Sequence, residues 1–84
     1  MSALHIELPE TLLLVTGQSR EEFVRDAKLL LAVKLFELGR ISSGKAAELC
    51  GMGRIEFIMV ASRELGVPVA RFDEEEMTEE FRDE

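Results

Sequence analysis

Few residues of this chain could take part in covalent or metal chemistry. Its 84 residues include one histidine, His5, and one cysteine, Cys50, so a His/Cys cluster for zinc cannot form. The sequence Gly51-Met-Gly-Arg lacks the spacing of a phosphate-binding Walker loop. Asp73 and Glu76 lack the spacing of a calcium-binding EF-hand. We therefore expect no enzymatic activity, no metal and no cofactor, and the chemistry left to the chain is binding.

Basic and hydroxyl side chains in the middle of the sequence could bind DNA. Arg54 could read a base edge or hold a phosphate. Lys45 and two serine hydroxyls could hold phosphates, with two further arginines on either side. The candidate DNA-binding residues are Arg40, Ser42, Ser43, Lys45, Arg54 and Arg63. Apolar residues share the outward positions near Arg54, namely Ile55, Ile58 and Met59. This face could therefore contact another protein instead of DNA.

These residues belong to a predicted helix-turn-helix over residues 42–65, with helices over residues 44–50 and from about residue 53 to 65. Gly51 supplies the positive φ that the turn requires, and Ala47, four residues earlier, lets the helices cross closely. Met52 follows the turn as an apolar plug, while Phe57 and Val60 can pack back on the first helix. Glycine, small and apolar positions thus fall where a crossed helix pair needs them.

A long helix precedes this pair. Ser19 and Glu22 form a capping box, and residues 20–38 contain no glycine or proline before Gly39. One apolar stripe runs through Phe23, Ala27, Leu31, Leu35 and Leu38. Further apolar residues occupy most of the remaining circumference, which predicts a helix buried on most sides. In so short a chain we expect a second subunit to provide the cover, and hence a homodimer.

The N-terminus predicts a short β-strand, because His5-Ile6-Glu7-Leu8 alternates polar and apolar residues. A short helix over residues 10–15 follows, and residues 67–72 could form another extended segment. Strand-then-helix order near Ile6-Glu-Leu-Pro-Glu is similar to the opening of ribbon-helix-helix repressors, whose strands enter the major groove. Here Glu7 would face phosphates, so we favour a dimerising strand.

The acidic residues are concentrated at the C-terminus. Residues 1–71 carry nine basic and nine acidic residues, whereas residues 72–84 carry eight acidic residues and one arginine, which accounts for the net charge of −7. We therefore divide the chain into a domain of residues 1–69 and an acidic tail of residues 70–84, which is disordered or folds on a partner.

A cytoplasmic protein is the expectation from the remaining signals. The N-terminus does not have the pattern of a signal peptide. The most apolar segment, residues 29–38, is about half the length that a membrane span needs. A single cysteine fits a reducing compartment.

The run from Val33 to Phe57, followed by Leu65-Gly-Val-Pro-Val, resembles a widespread family of small prokaryotic helix-turn-helix proteins, uncharacterised protein family 0175. The resemblance covers nearly the whole chain and is densest over residues 39–57. Members of this family are predicted antitoxins of type II toxin–antitoxin modules, commonly encoded beside a PIN-domain ribonuclease. Gly53 and Ile55 depart from the family pattern, which usually has a serine cap and an aromatic residue there.

The resemblance implies an antitoxin that binds its operator as a homodimer, regulates its own transcription and neutralises its toxin with the acidic tail. In the tail, Met77 and Phe81 lie on one face of a potential helix, and Arg71 or Arg82 could enter the carboxylate-lined site of a nuclease. The implied toxin-binding residues are Arg71, Phe72, Met77, Phe81 and Arg82. The alternative is a protein-interaction or dimerisation module that uses the helix-turn-helix without binding DNA. The predicted fold is mainly α, with an N-terminal strand.

Overall fold

The computed structural model describes residues 2–72, while Met1 and residues 73–84 lie outside the described range. The described chain is a small all-helical domain without a β-strand. Its helices are α1 (Thr11–Thr16), α2 (Arg20–Glu37), α3 (Ser43–Leu49) and α4 (Arg54–Leu65). A fifth helix, α5, begins at residue 69 and continues to residue 72, the last described residue. None of the helices described in residues 2–72 has the length and apolar character to cross a membrane.

Helix α2 begins and ends as its sequence predicts. The Ser19 hydroxyl accepts a hydrogen bond from the Glu22 backbone N–H at 3.1 Å, and the Glu22 carboxylate accepts one from the Ser19 N–H at 3.0 Å. At the other end, Gly39 has a φ of 76°. The Arg40 N–H then donates to the Leu35 carbonyl at 2.8 Å, which closes the last turn. The predicted capping box is confirmed.

Helix α2 packs into the core with one face, and the apolar stripe noted in the sequence lies outside the buried set. Its buried residues are Leu29, Ala32, Val33 and Phe36. Of the stripe noted in the sequence, Leu31 is 44% exposed and Leu38 is 58% exposed. Within a single chain α2 is therefore not buried on most sides. Apolar residues occur almost all round this helix, so its periodicity does not identify the face that meets α3 and α4.

The core lies where α2, α3 and α4 meet. Its buried apolar residues are Leu29, Ala32, Val33, Phe36, Ala46, Ala47, Phe57, Ala61, Val67 and Phe72. Four of them are alanines, whose small side chains let the helices approach closely. The Phe72 ring stacks on Phe36 with centroids 4.6 Å apart and meets the Phe57 ring edge-on at 6.1 Å. Alanines at the helix contacts and three aromatic rings thus fill the interior.

Neither predicted extended segment forms a strand within the described chain. Residues 2–9 have no regular secondary structure, and residues 69–72 are helical. A strand needs a neighbour to pair with its backbone groups, and no second strand is present among residues 2–72. At the other end, Phe72 is only 1% exposed. Phe72 therefore packs in the core of the domain, although the sequence assigned it to the tail.

Two glycines near the turn should respond in opposite directions to the same substitution. Gly51 has a φ of +71° and Gly53 a φ of −72°, and an added Cβ meets no atom within 4 Å at either position. Gly51→Ser is expected to lower the free energy of unfolding by about 1–2 kcal/mol, the cost of a left-handed L-residue. Gly53→Ser supplies a helix-capping hydroxyl and should raise it by a few tenths of a kcal/mol. Urea denaturation of both variants measures these changes. If both substitutions changed the free energy of unfolding in the same direction, the left-handed conformation of Gly51 and the capping position of Gly53 would not both be correct.

Candidate nucleic-acid interface

Helices α3 and α4 form a helix-turn-helix. Gly51 lies between them with a positive φ of 71°, and the Met52 N–H donates to the Ala47 carbonyl at 2.9 Å. Ala47 on α3 and Phe57 on α4 are both buried, with 2% and 0% exposure. Met52 and Val60 are half-buried against the same core. The roles that the sequence predicted for the turn glycine, the small residue and the apolar plug are confirmed.

The two serines at the start of α3 are engaged within the domain. Ser42 is the N-cap residue, and its hydroxyl accepts a hydrogen bond from the Lys45 backbone N–H at 3.2 Å. Ser43 is completely buried, and its hydroxyl accepts a hydrogen bond from the Arg54 Nε at 2.7 Å. Both hydroxyls were predicted to hold phosphates, whereas both serines are buried in the described chain.

Arg54 connects the two helices of the module. It is the first residue of α4, it is half-buried, and its guanidinium donates to Ser43 on α3. The sequence predicted an outward-facing arginine that reads a base or holds a phosphate. A side chain held against α3 has less reach into a DNA groove than a fully exposed arginine, so its observed contact is a structural one.

The exposed cations of the module are Arg40, Lys45 and Arg63. The Lys45 Nζ lies 3.4 Å from a Glu48 carboxylate oxygen, and an Arg63 Nη lies 3.9 Å from Glu64. All four of these side chains are more than half exposed. Ion pairs this exposed contribute little to stability. Both cations can therefore exchange their partner for a phosphate at low cost.

The outer face of α4 is apolar with one carboxylate. Ile55 is 66% exposed and Met59, one turn later, is 60% exposed. Glu56 is also exposed, whereas Ile58, which the sequence placed on the same face, is half-buried against the core. Around Ile55 and Met59 this face can make van der Waals contacts and accept one or two hydrogen bonds, and its exposed cation, Arg63, lies one turn further along the helix.

The predicted toxin-binding residues are separated by the structure. Arg71 is exposed, and its guanidinium donates to the Glu37 carbonyl at the end of α2 at 3.3 Å. Phe72 lies in the core, so it cannot touch a partner while the core is intact. Met77, Phe81 and Arg82 lie outside the described residues. Of the two predicted toxin-binding residues that the structure describes, Arg71 is exposed and Phe72 is buried.

Cys50 lies beside the module with a half-buried thiol. Its Sγ lies 3.7 Å from the Lys28 carbonyl oxygen and contacts the edge of the core. Burial raises the pKa of the Cys50 thiol, and the nearby positive charge of Lys28 partly opposes that rise. A thiol kept protonated is a poor nucleophile, which fits the predicted role of a small packing residue.

Comparison with known proteins identifies the family. The model of an uncharacterised protein family, UPF0175, matches residues 1–83. The chain belongs to the UPF0175 family. A UPF0175 protein of Aeropyrum pernix is 33% identical over 76 residues, which make up 90% of this chain and 79% of the relative. No solved structure matches the chain. The resemblance that the sequence suggested is therefore confirmed as membership of UPF0175, a family name that states no activity.

Proposed function

We propose that this UPF0175 protein is the antitoxin of a type II toxin–antitoxin module. In this proposal a homodimer binds operator DNA through α3 and α4 and represses its own transcription. The segment after the domain neutralises a toxin of the PIN-type ribonuclease class. The observation that carries the DNA part is the complete helix-turn-helix. The outer face of its second helix is not covered by any other part of the described chain. The resemblance to predicted antitoxins supports the toxin part.

The N-terminal residues of α4 would meet the base edges, as in other helix-turn-helix proteins. Ile55 can contact a thymine methyl group, and the Glu56 carboxylate can accept a hydrogen bond from the amino group of cytosine. Arg54 would support this surface from beneath through its bond to Ser43. Arg40, Lys45 and Arg63 would hold the phosphates on either side. Affinity would thus come from the flanking cations and specificity from a short apolar surface.

The number of exposed cations sets the expected salt dependence of DNA binding, because the domain as a whole carries no net charge. Residues 1–71 carry nine basic and nine acidic residues, so long-range attraction to DNA is weak. A homodimer would present three exposed module cations from each copy. If all six neutralise a phosphate, the logarithm of the binding constant falls with the logarithm of salt concentration with a slope of about −5.

Lys45→Ala is expected to make that slope shallower by about 2, because each dimer loses two phosphate contacts. The measurement is fluorescence anisotropy with the DNA upstream of the gene, at a series of salt concentrations. Arg25→Ala is the control, since Arg25 is an exposed cation on the first half of α2 and lies outside the module. Binding that is absent at low salt, or unchanged in Lys45→Ala combined with Arg63→Ala, would contradict the DNA part of the proposal.

A protein-interaction module is the second candidate, and the exposed pair Ile55 and Met59 favours it. If these residues bind a protein, Ile55→Asp abolishes capture of that protein, whereas Lys45→Ala leaves the capture unchanged. If the face reads DNA, Lys45→Ala and Ile55→Asp both weaken operator binding. The pattern of the two variants therefore distinguishes the candidates.

The toxin part is tested by removing residues 73–84 while keeping Phe72 in the core. The shortened chain, residues 1–72, is expected to retain its helical spectrum and to lose inhibition of the co-expressed ribonuclease. A matched full-length variant with Met77→Ser and Phe81→Ser should lose inhibition in the same way. Full neutralisation by residues 1–72 would rule out a toxin-binding role for the removed segment.

A further inference from the structure

An apolar surface lies between the N-terminal segment and the first half of α2. Its exposed members are Leu4, Ile6, Leu8, Val24 and Leu31, and we call it the N-terminal apolar surface. We propose that a second copy of this chain covers it, through antiparallel pairing of residues 4–8 about a two-fold axis at Ile6. This interface specifies the homodimer of the proposed function, but the argument for it uses neither DNA nor a toxin.

The exposure of these residues is high for large apolar side chains. Leu4 is 99% exposed, Ile6 75% and Leu8 52%. These three line one groove together with five α2 residues, Phe23, Val24, Ala27, Lys28 and Leu31, of which Lys28 alone is charged. On the α2 side, Phe23, Ala27 and Leu31 belong to the apolar stripe that lies outside the buried core. A continuous apolar surface of this kind marks a contact site.

The backbone of the N-terminal segment is also available for pairing. Residues 4–8 have no regular secondary structure, and within residues 2–72 their backbone groups make no hydrogen bond to other main-chain atoms. Their side chains nevertheless alternate as in a half-buried strand, with apolar residues at positions 4, 6 and 8. A segment with open backbone donors and acceptors is a template for another strand. What it lacks is a neighbour, which a second copy supplies.

Side-chain complementarity selects a two-fold axis at Ile6. In that antiparallel register Ile6 lies opposite Ile6, Leu4 opposite Leu8, and His5 opposite Glu7 of the second copy. All six apolar side chains then point to one face of the two-stranded ribbon, which can lie over the α2 helices of both copies. The polar pairs lie on the outer face, where a histidine opposite a carboxylate is favourable.

Other registers are less favourable. Parallel, in-register pairing places Glu7 opposite Glu7, and so does an antiparallel pair centred on that residue; like charges directly opposite each other destabilise a pair. A shift of the antiparallel register by one residue puts the apolar side chains of one copy opposite polar side chains of the other. The segment therefore favours a second copy in one orientation.

Ile6→Glu tests the interface, because it places two carboxylates opposite each other on the axis. Light scattering coupled to gel filtration should give a mass of twice 9.5 kDa for the natural chain and a mass near 9.5 kDa for the variant. Ile55→Glu is the matched control: Ile55 has a similar exposure, 66% against 75%, but lies on α4. Neither residue is in the core, so both variants should keep the natural helical spectrum. Ile55→Glu should also keep the natural melting temperature, whereas Ile6→Glu should melt somewhat lower because it loses the stabilisation that a second subunit provides. A monomeric natural chain, or a dimeric Ile6→Glu variant at the same concentration, overturns the proposal.

Disulfide cross-linking tests the register in chains that also carry Cys50→Ala. Oxidised Ile6→Cys should form a covalent dimer, whereas Ile55→Cys should not. A mixture of Leu4→Cys and Leu8→Cys chains should form the mixed dimer faster than either chain forms a dimer with itself. Fast self-linking of Leu4→Cys would indicate parallel pairing and overturn the register. These assays contain no DNA and no toxin, so their failure is separate from a failure of operator or toxin binding.

Discussion

Replacing Phe72 with alanine is expected to lower the free energy of unfolding by about 3–5 kcal/mol. The Phe72 side chain is 1% exposed, stacks on Phe36 at 4.6 Å and meets Phe57 edge-on at 6.1 Å. Its removal costs the burial of a whole ring, leaves a cavity and ends two aromatic contacts. Because small domains are stable by about 5–15 kcal/mol, this one side chain would account for much of the stability of the fold.

Val69→Ala is the control for this prediction, since Val69 belongs to the same short helix but is 51% exposed. Thermal and urea denaturation, followed by circular dichroism, should show a change of less than about 1 kcal/mol for this exposed site. If Phe72→Ala were no more damaging than Val69→Ala, the assignment of Phe72 to the core would be wrong. The sequence-based division at residue 69 would then be preferable.

Ser43→Ala is expected to lower the free energy of unfolding by about 1.5–3 kcal/mol, the contribution of a hydrogen bond to a charged group. The substitution removes the oxygen that lies 2.7 Å from the Arg54 Nε, in a completely buried position. Arg54→Met keeps an unbranched side chain but loses the donor, so a similar loss is expected. The double variant should lose less than the sum of the two, by about 0.5–3 kcal/mol.

Ser42→Ala provides the comparison for that cycle. Its hydroxyl caps α3 by accepting the Lys45 N–H at 3.2 Å and does not bind Arg54. Its loss should cost about 1 kcal/mol and should add to Arg54→Met without coupling. Additivity of Ser43→Ala and Arg54→Met would contradict the structural role of the arginine. If Ser43 and Arg54 are coupled in this way, an Arg54 variant that loses DNA binding would do so because α4 has changed its position on α3.

The helix-turn-helix could be predicted from local sequence because its determinants are local. Gly51 must adopt a positive φ, and Ser42 caps a helix that begins one residue later. Ala47 and Phe57 lie at fixed spacings from the turn, so each buried contact follows from helical geometry. The ends of α3 and α4 therefore agree with the prediction to within a residue or two.

The positions that sequence reasoning missed depend on which elements meet in space. Helix α2 has two apolar stripes, and only its contact with α3 and α4 selects the one through Leu29 and Phe36. The bond between Ser43 and Arg54 joins residues eleven apart on different helices, and single-helix periodicity contains no signal for it. Phe72 stands beside a run of acids, so composition suggested a tail, whereas its contacts with two other phenylalanines place it in the core.

Phe72 also determines how the fold would respond to a pull on its C-terminus. Among the described residues, Phe72 is the buried one nearest the C-terminus, so a protease that unfolds its substrate from that end would have to withdraw this ring from the core. Residues 69–71 are exposed, so they have few packing contacts that would resist unfolding from this end. Withdrawal of the ring would uncover Phe36 and Phe57 together and open the core locally before α3 and α4 separate. The lifetime of the protein in a cell would then follow how often Phe72 leaves its position, when opening is fast relative to cleavage.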